Sequence, residues 1–169
     1  NDISKNHPEL VIELLSQWLK LCPVEHLPKL EWIKKQALRT LIKKGNKKAL
    51  QLMGVSGEGK IQINYFRLDK KKYKLNEKLH FYFEIESQSQ VMQNIVIDYG
   101  IDFVKANGKL GRKIFKLKNV RLEAGASMKL TKIHSLKSIT TMRFYSGKHQ
   151  LTLHVNGLGL KTLEFFFEV

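Results

Sequence analysis

The sequence predicts an α+β chain whose two classes are segregated, a helical N-terminal part followed by an antiparallel β-sandwich. Two observations predict it. Apolar residues recur with a period near 3.6 over residues 1–54, and the period changes to 2 over residues 59–169. Hydrophobic residues make up 43% of the 169, enough for a packed core and too many for a disordered basic tail. The expected division is therefore residues 1–55 and residues 59–169.

In the helical part, Pro8 suits a first-turn position with Asn6 or His7 before it as the cap. Leu10, Leu14 and Trp18, together with Val11, Leu15 and Leu19, then give a helix with a broad apolar face. Pro23 and Pro28 punctuate a loop. A second helix carries Glu31-Trp-Ile-Lys-Lys-Gln-Ala-Leu-Arg-Thr-Leu-Ile-Lys-Lys-Gly45 and stops at Gly45, which suits the left-handed position after a helix. Asn46 can cap a short third helix that runs through Met53 and ends at Gly54. Two antiparallel helices of this size cannot bury their apolar faces alone, which is how the terminal unit of a helical repeat stack behaves. The opening at Asn1, as though in mid-helix, predicts a fragment of a longer protein.

In the second part, Leu79, Phe81, Phe83 and Ile85 alternate with polar neighbours, as do Ile95, Ile97, Tyr99, Ile101 and Phe103. Leu151, Leu153 and Val155 repeat the pattern, and so do Leu163, Phe165, Phe167 and Val169. Such alternation marks strands with one buried face. Weaker strands are expected near Lys60–Leu68, Lys113–Leu122 and Ser127–Ile133. A register shift between Ile63 and Phe66 predicts a bulge in the first of these. Asn156-Gly157 between the last two strands is a hairpin turn signal. Seven strands in about 110 residues fit an immunoglobulin-like sandwich, without the cysteine pair and core tryptophan of antibody domains.

Charge points to a polyanion. Lys plus Arg number 30 against 15 Asp plus Glu, a net charge of +15. Residues 1–55 hold 10 basic and 5 acidic residues and residues 56–169 hold 20 and 10, so a polyanionic partner could touch both parts. There is no apolar run of transmembrane length, and a membrane partner is not expected. Cys22 is the sole cysteine and has no disulfide partner, which predicts a cytoplasmic protein, and a monomer is expected.

Catalytic chemistry is sparse. Gly54-Val-Ser-Gly57-Glu-Gly59 lacks the spacing and the lysine of a phosphate loop. The six histidines show no metal-ligand spacing, and one cysteine cannot build a zinc cluster, so no metal, no cofactor and no catalytic residue is assigned. Asp98 and Asp102 lie four apart on one strand and could form an acid/base pair, but a solvated outer face is the expectation for them. His80 and His154 are expected to be exposed, and Trp18 and Trp32 to be packing residues.

Binding candidates are clearer. Lys35, Arg39 and Lys43 recur every four residues, which stacks them along one side of the second helix as a basic ridge. The stretch Phe103–Lys113 reads as a loop with Lys105, Asn107, Lys109, Arg112 and Lys113. The connection from Ser135 to Lys148 carries Lys137, Thr140, Thr141 and Arg143. Amide, hydroxyl and cationic side chains are the common phosphate-contacting set, and loops at a sandwich end are where such domains bind. A protein-interaction module without DNA binding remains an alternative.

These residues carry a resemblance. The run Trp32-Ile-Lys-Lys-Gln-Ala-Leu-Arg-Thr-Leu-Ile-Lys-Lys-Gly-Asn46 and the opening Asn1-Asp-Ile-Ser-Lys5 with His7-Pro8-Glu9 resemble the bacterial DNA alkylation repair glycosylases built from HEAT-like repeats. Asp98-Tyr-Gly-Ile-Asp-Phe-Val-Lys-Ala-Asn-Gly108 and His134-Ser-Leu-Lys-Ser-Ile-Thr-Thr-Met-Arg143 are similar to the branch with a C-terminal immunoglobulin-like domain. The resemblance implies a terminal HEAT-like repeat joined to a sandwich that helps grip double-stranded DNA. It implies a hydrolase of N-glycosidic bonds that excises alkylated bases without a cofactor, with Arg39 toward the DNA backbone. Gln36 stands where the family often has His. The family's catalytic carboxylates lie in earlier repeats, so this chain is expected to bind DNA without containing the catalytic residues.

Overall fold

The structure is a computed structural model that describes residues 1–55, 59–137 and 143–169. Four helices come first: α1 (Asp2–Asn6), α2 (Pro8–Leu21), α3 (Leu27–Lys43) and α4 (Lys47–Leu52), with a 3-10 turn at Val24–His26 before α3. Eight strands follow: β1 (Ile61–Leu68), β2 (Lys72–Lys74), β3 (Lys78–Ser87), β4 (Gln93–Val104), β5 (Leu110–Leu122), β6 (Ser127–Ser135), β7 (Gly147–Val155) and β8 (Leu158–Glu168).

The helix boundaries follow local chemistry. Pro8 opens α2, as expected. Pro28 lies in the first turn of α3 rather than in a loop, where its missing N–H goes unmissed. Gly45 takes φ +70° after α3, and Asn46 caps α4 by accepting the Ala49 N–H at 3.0 Å. Ile12 and Leu15 of α2 pack with Leu30, Leu38 and Leu41 of α3 and Ala49 of α4 in a small core. Leu10, Leu14 and Trp18, one stripe of α2, remain 52%, 38% and 49% exposed. Trp32 is 63% exposed, so neither tryptophan is a packing residue within this chain.

The strands form two sheets, a three-stranded one ordered β1-β3-β6 and a five-stranded one ordered β2-β8-β7-β4-β5. Among the described residues the strands number eight rather than seven. β2, three residues long with one apolar side chain, is too short for alternation to reveal, and it pairs in parallel with β8. Between the sheets lies a core of Phe81, Phe83, Ile85, Ile97, Ile101, Leu151, Leu153 and Phe165, with Tyr73 closing one edge. The bulge expected in β1 is present between Ile63 and Tyr65. Asn156 and Gly157 both take positive φ, 51° and 80°, and make the tight β7–β8 hairpin.

The helices rest on the outer face of the five-stranded sheet, at that hairpin. A Cβ on Gly157 would sit 2.3 Å from the Gly45 nitrogen and 2.8 Å from the Ile42 carbonyl oxygen, so glycine permits a backbone-to-backbone contact there. Lys43 Nζ donates to the Ile114 carbonyl of β5 at 2.6 Å, and Asn94 Nδ2 donates to the Gly54 carbonyl at 3.2 Å. Several outer-face side chains are buried: Asp98 is 3% exposed, Asp102, held by Arg112, 5%, and His154 4%. The solvated outer face expected for the two aspartates and the exposure expected for His154 do not hold. His80 is half-buried.

Candidate nucleic-acid interface

The ridge on α3 splits on folding. Lys35 and Arg39 are exposed, whereas Lys43 turns into the sheet toward the Ile114 carbonyl and Asp98. Burial lowers the Lys43 pKa, Arg39 nearby adds to the shift, and Asp98 opposes it. Lys34, next to the ridge, is buried and bonded to Glu31 at 2.5 Å. Lys43 is therefore a tether between helix and sheet, and the solvent-facing ridge consists of Lys35 and Arg39.

Between α3 and the sheet runs a cleft of about 250 Å³. Lys35, Gln36, Arg39 and Lys43 line one side, Lys116 and Asn119 of β5 the other, with Met53 and Val96 beside them and Asp98 on β4. Four cations against one carboxylate leave it net positive. Burial raises the Asp98 pKa, while Lys43, Lys116 and the Leu117 N–H hold it down. β5 is the end strand of its sheet and displays Arg112, Lys113, Lys116, Lys118 and Arg121, all exposed. Such charge keeps a bare strand edge from pairing with another chain and also presents a cationic strip.

The two aspartates do not form an acid/base pair. Arg112 grips Asp102 with two hydrogen bonds, Nε to Oδ1 at 2.8 Å and Nη2 to Oδ2 at 2.7 Å. Asp98 faces lysines instead. His154 lies opposite Asp98 on β7, and burial lowers its pKa against the opposing pull of the Gly157 backbone.

The loop candidates gather at one end of the sandwich. The expected loop 103–113 is a short turn, because Phe103 and Val104 complete β4 and Leu110–Lys113 begin β5. Lys105 and Lys109 close the turn backbone to backbone at 2.9 Å, and Asn107 Oδ1 accepts the Lys109 N–H at 3.1 Å. Asn107 thus shapes the turn. Lys113 lies within β5, opposite Ile101. Arg143 stacks 5.9 Å over Tyr145, and neighbouring Phe144 packs on Phe103 at 5.5 Å, which brings this connection to the same end as the turn. Lys137 is exposed just after β6. Thr140 and Thr141 lie outside the described residues. Asp98 and Lys105 are separated by seven residues of extended chain, about 23 Å at ~3.3 Å per residue, and the exposed cations of β5 run between cleft and loops.

Lys116, Asn119, Lys118 and Arg121 were not among the sequence candidates. A signal exists: the inward residues of β5 are Phe115 and Leu117, then Val120 and Leu122, a change of parity that marks a bulge, and Lys116, Lys118, Asn119 and Arg121 around it are exposed. Among the described residues, no group of three or more His, Cys, Asp or Glu could hold a metal, and no helix is long and apolar enough to cross a membrane.

The chain is similar to known proteins along its whole length. It aligns over 100% of its residues, at 37% identity and a TM-score of 0.91, with the Pseudomonas fluorescens alkylpurine DNA glycosylase AlkC, solved bound to DNA containing an abasic site analog. It is 38% identical over 98% of its length to the uncharacterized protein YhaZ of Bacillus subtilis. It spans about half of both, 46% of the former and 44% of the latter. A Listeria innocua β-glucosidase matches 64% of the chain at 16% identity and a TM-score of 0.51, a likeness of fold alone. The resemblance seen in the sequence to alkylation-repair glycosylases with an immunoglobulin-like domain is thus met by these relatives. Residues 62–169 match the family described as "Uncharacterised protein YhaZ, C-terminal Ig-like domain", and the chain belongs to that family.

Proposed function

We propose that this chain is the DNA-binding C-terminal portion of a glycosylase that excises alkylated bases, with residues 1–55 as a terminal HEAT-like repeat and residues 59–169 as an immunoglobulin-like sandwich. The observation that carries the reading is the cationic seam: Lys35 and Arg39 of α3 face Lys116 of β5 across one cleft, so both parts can share one polyanion. The likeness to a glycosylase solved on DNA supports the same partner. In this reading Lys35, Arg39 and Lys116 contact backbone phosphates, and Lys105, Lys109, Lys113, Lys137 and Arg143 form a second contact region. The catalytic groups belong to parts of such a protein that this chain does not contain.

Titration of a labelled duplex by fluorescence anisotropy between about 50 and 200 mM salt tests this. Affinity is expected to fall steeply, because each phosphate contact releases counterions. Lys35→Gln with Arg39→Gln should weaken binding and lower the slope of log affinity against log salt by about two. Flat salt dependence sinks the proposal. The exposed Leu10, Leu14, Trp18 stripe favours a second, compatible reading, in which that face packs on a preceding helical repeat.

A further inference from the structure

Trp32 stands in line with the exposed cations of α3. It lies seven residues before Arg39, which on an α-helix places it about 20° round the axis from that residue, with Lys35 and Gln36 to either side of the line. The buried residues Leu30, Lys34, Leu38 and Leu41 occupy the opposite side. At 63% exposure the indole therefore has no core to join. Nor does it extend the apolar stripe of α2. That stripe continues onto α3 through Leu30 and Ile33, which line one hollow with Trp18 and Leu21, and Trp32 does not border it. Lys29 and Lys35, one turn to either side of Trp32, are exposed, and the neighbouring carboxylate of Glu31 is paired with Lys34 at 2.5 Å. The surroundings of the ring are net positive.

Cations hold a duplex by its phosphates, whereas an indole offers a flat apolar face the size of a base. In an intact duplex the neighbours cover every base face, so a ring has nothing to stack on. A missing base uncovers two such faces, and stacking on an aromatic side chain is favourable whatever the sequence. Excision of a base leaves a sugar without one, so the proposed reaction itself makes this gap. Resting on the DNA-binding reading above, we propose that Trp32 is a specificity-determining residue whose indole stacks on a base face left open by a missing base, while Lys35 and Arg39 hold nearby phosphates. The chain then prefers a duplex with an abasic nucleotide to an intact one. Trp32 and Arg39 are about 10.5 Å apart along the helix at ~1.5 Å per residue, or about three base steps of ~3.4 Å. One helix can thus engage the backbone and the gap together.

The test uses the full chain and two dumbbell duplexes, one intact and one with a central abasic nucleotide. Loops closing both ends remove the terminal base faces. The parent chain should bind the abasic duplex at least about fivefold more tightly. Trp32→Ala should abolish that preference and change affinity for the intact duplex by less than about twofold. Lys35→Gln should weaken both duplexes alike and keep the ratio. The chain has two tryptophans, so Trp18→Phe leaves Trp32 as the sole indole. Its emission should be quenched by the abasic duplex and far less by the intact one. The proposal is overturned if the parent chain shows no preference, if Trp32→Ala keeps the ratio, or if the Trp32 emission is not quenched. In each of those cases salt-dependent binding of the intact duplex by the parent chain leaves the DNA-binding reading standing, and its absence overturns that reading as well.

Discussion

His134 shows how a single side chain can be set by its neighbours. Its ring lies 4.6 Å from that of Phe115 and shares a 2.9 Å hydrogen bond between Nδ1 and the Tyr99 hydroxyl. Burial, with a smaller push from Lys132, lowers its pKa to about 4, and burial raises that of Tyr99 to about 12. Both groups are thus neutral at pH 7. A histidine depressed from 6.5 stabilises the fold fully above pH 6.5. As pH falls toward 4 the unfolded chain takes up a proton that the folded chain refuses, and stability drops by up to about 3 kcal/mol from this group. Buried His149 and His154 shift the same way and add to the slope. Urea midpoints at pH 7 and pH 4.5 should therefore differ, and His134→Gln, which cannot titrate, should reduce the difference. An unchanged difference would show that His134 titrates normally.

At the scale of elements, the contact of two glycines joins the helices to the sandwich. Gly157 at φ +80° has the Gly45 backbone against it, whereas Gly108 at φ +74° has nothing within 4 Å of where a Cβ would stand. Alanine at Gly108 should cost about 1 kcal/mol, the strain of positive φ. Alanine at Gly157 adds a clash that only moving α3 off the sheet relieves, so it should lower Tm by clearly more than the roughly 2–4 °C expected at Gly108. Equal shifts in thermal melts would deny the contact. The hairpin turn itself was legible, because Asn-Gly between alternating runs demands those dihedrals. Its second role was not, since what packs on a turn is decided by chain 110 residues away. The same holds for β4. Alternation was read as one buried face, yet residues 95–103 are buried on both, because α3 reaches Val96 and Asp98 while Arg112 grips Asp102 and His154 lies against Gly100. β5 carried its bulge openly in the parity of Phe115, Leu117, Val120 and Leu122, but dense lysines masked the strand pattern. The ridge was legible as a period and illegible as a surface: spacing gave three aligned cations, and the sheet then took Lys43.

For the whole molecule, the cationic surface has two ends, the cleft and the loops, joined along β5 by Arg112 and Lys113. The cleft lies at the helix–sheet seam, while Lys105, Lys109 and Arg143 stand at the far end of β4, about 23 Å away at ~3.3 Å per residue. Duplex DNA rises ~3.4 Å per base pair, so about seven base pairs separate a phosphate in the cleft from one at the loops. If both groups grip one duplex, length must matter. A hairpin duplex of about six base pairs seated in the cleft cannot reach the loops, and one of about sixteen can reach both. Substituting Lys105, Lys109 and Arg143 by Gln should then weaken binding to the long duplex and lower its salt slope by up to about three, while leaving the short duplex nearly unaffected. Substituting Lys35, Arg39 and Lys116 should weaken both lengths. Equal sensitivity of the short duplex to the loop cations would mean that the loops, and not the seam between helix and sheet, form the primary grip.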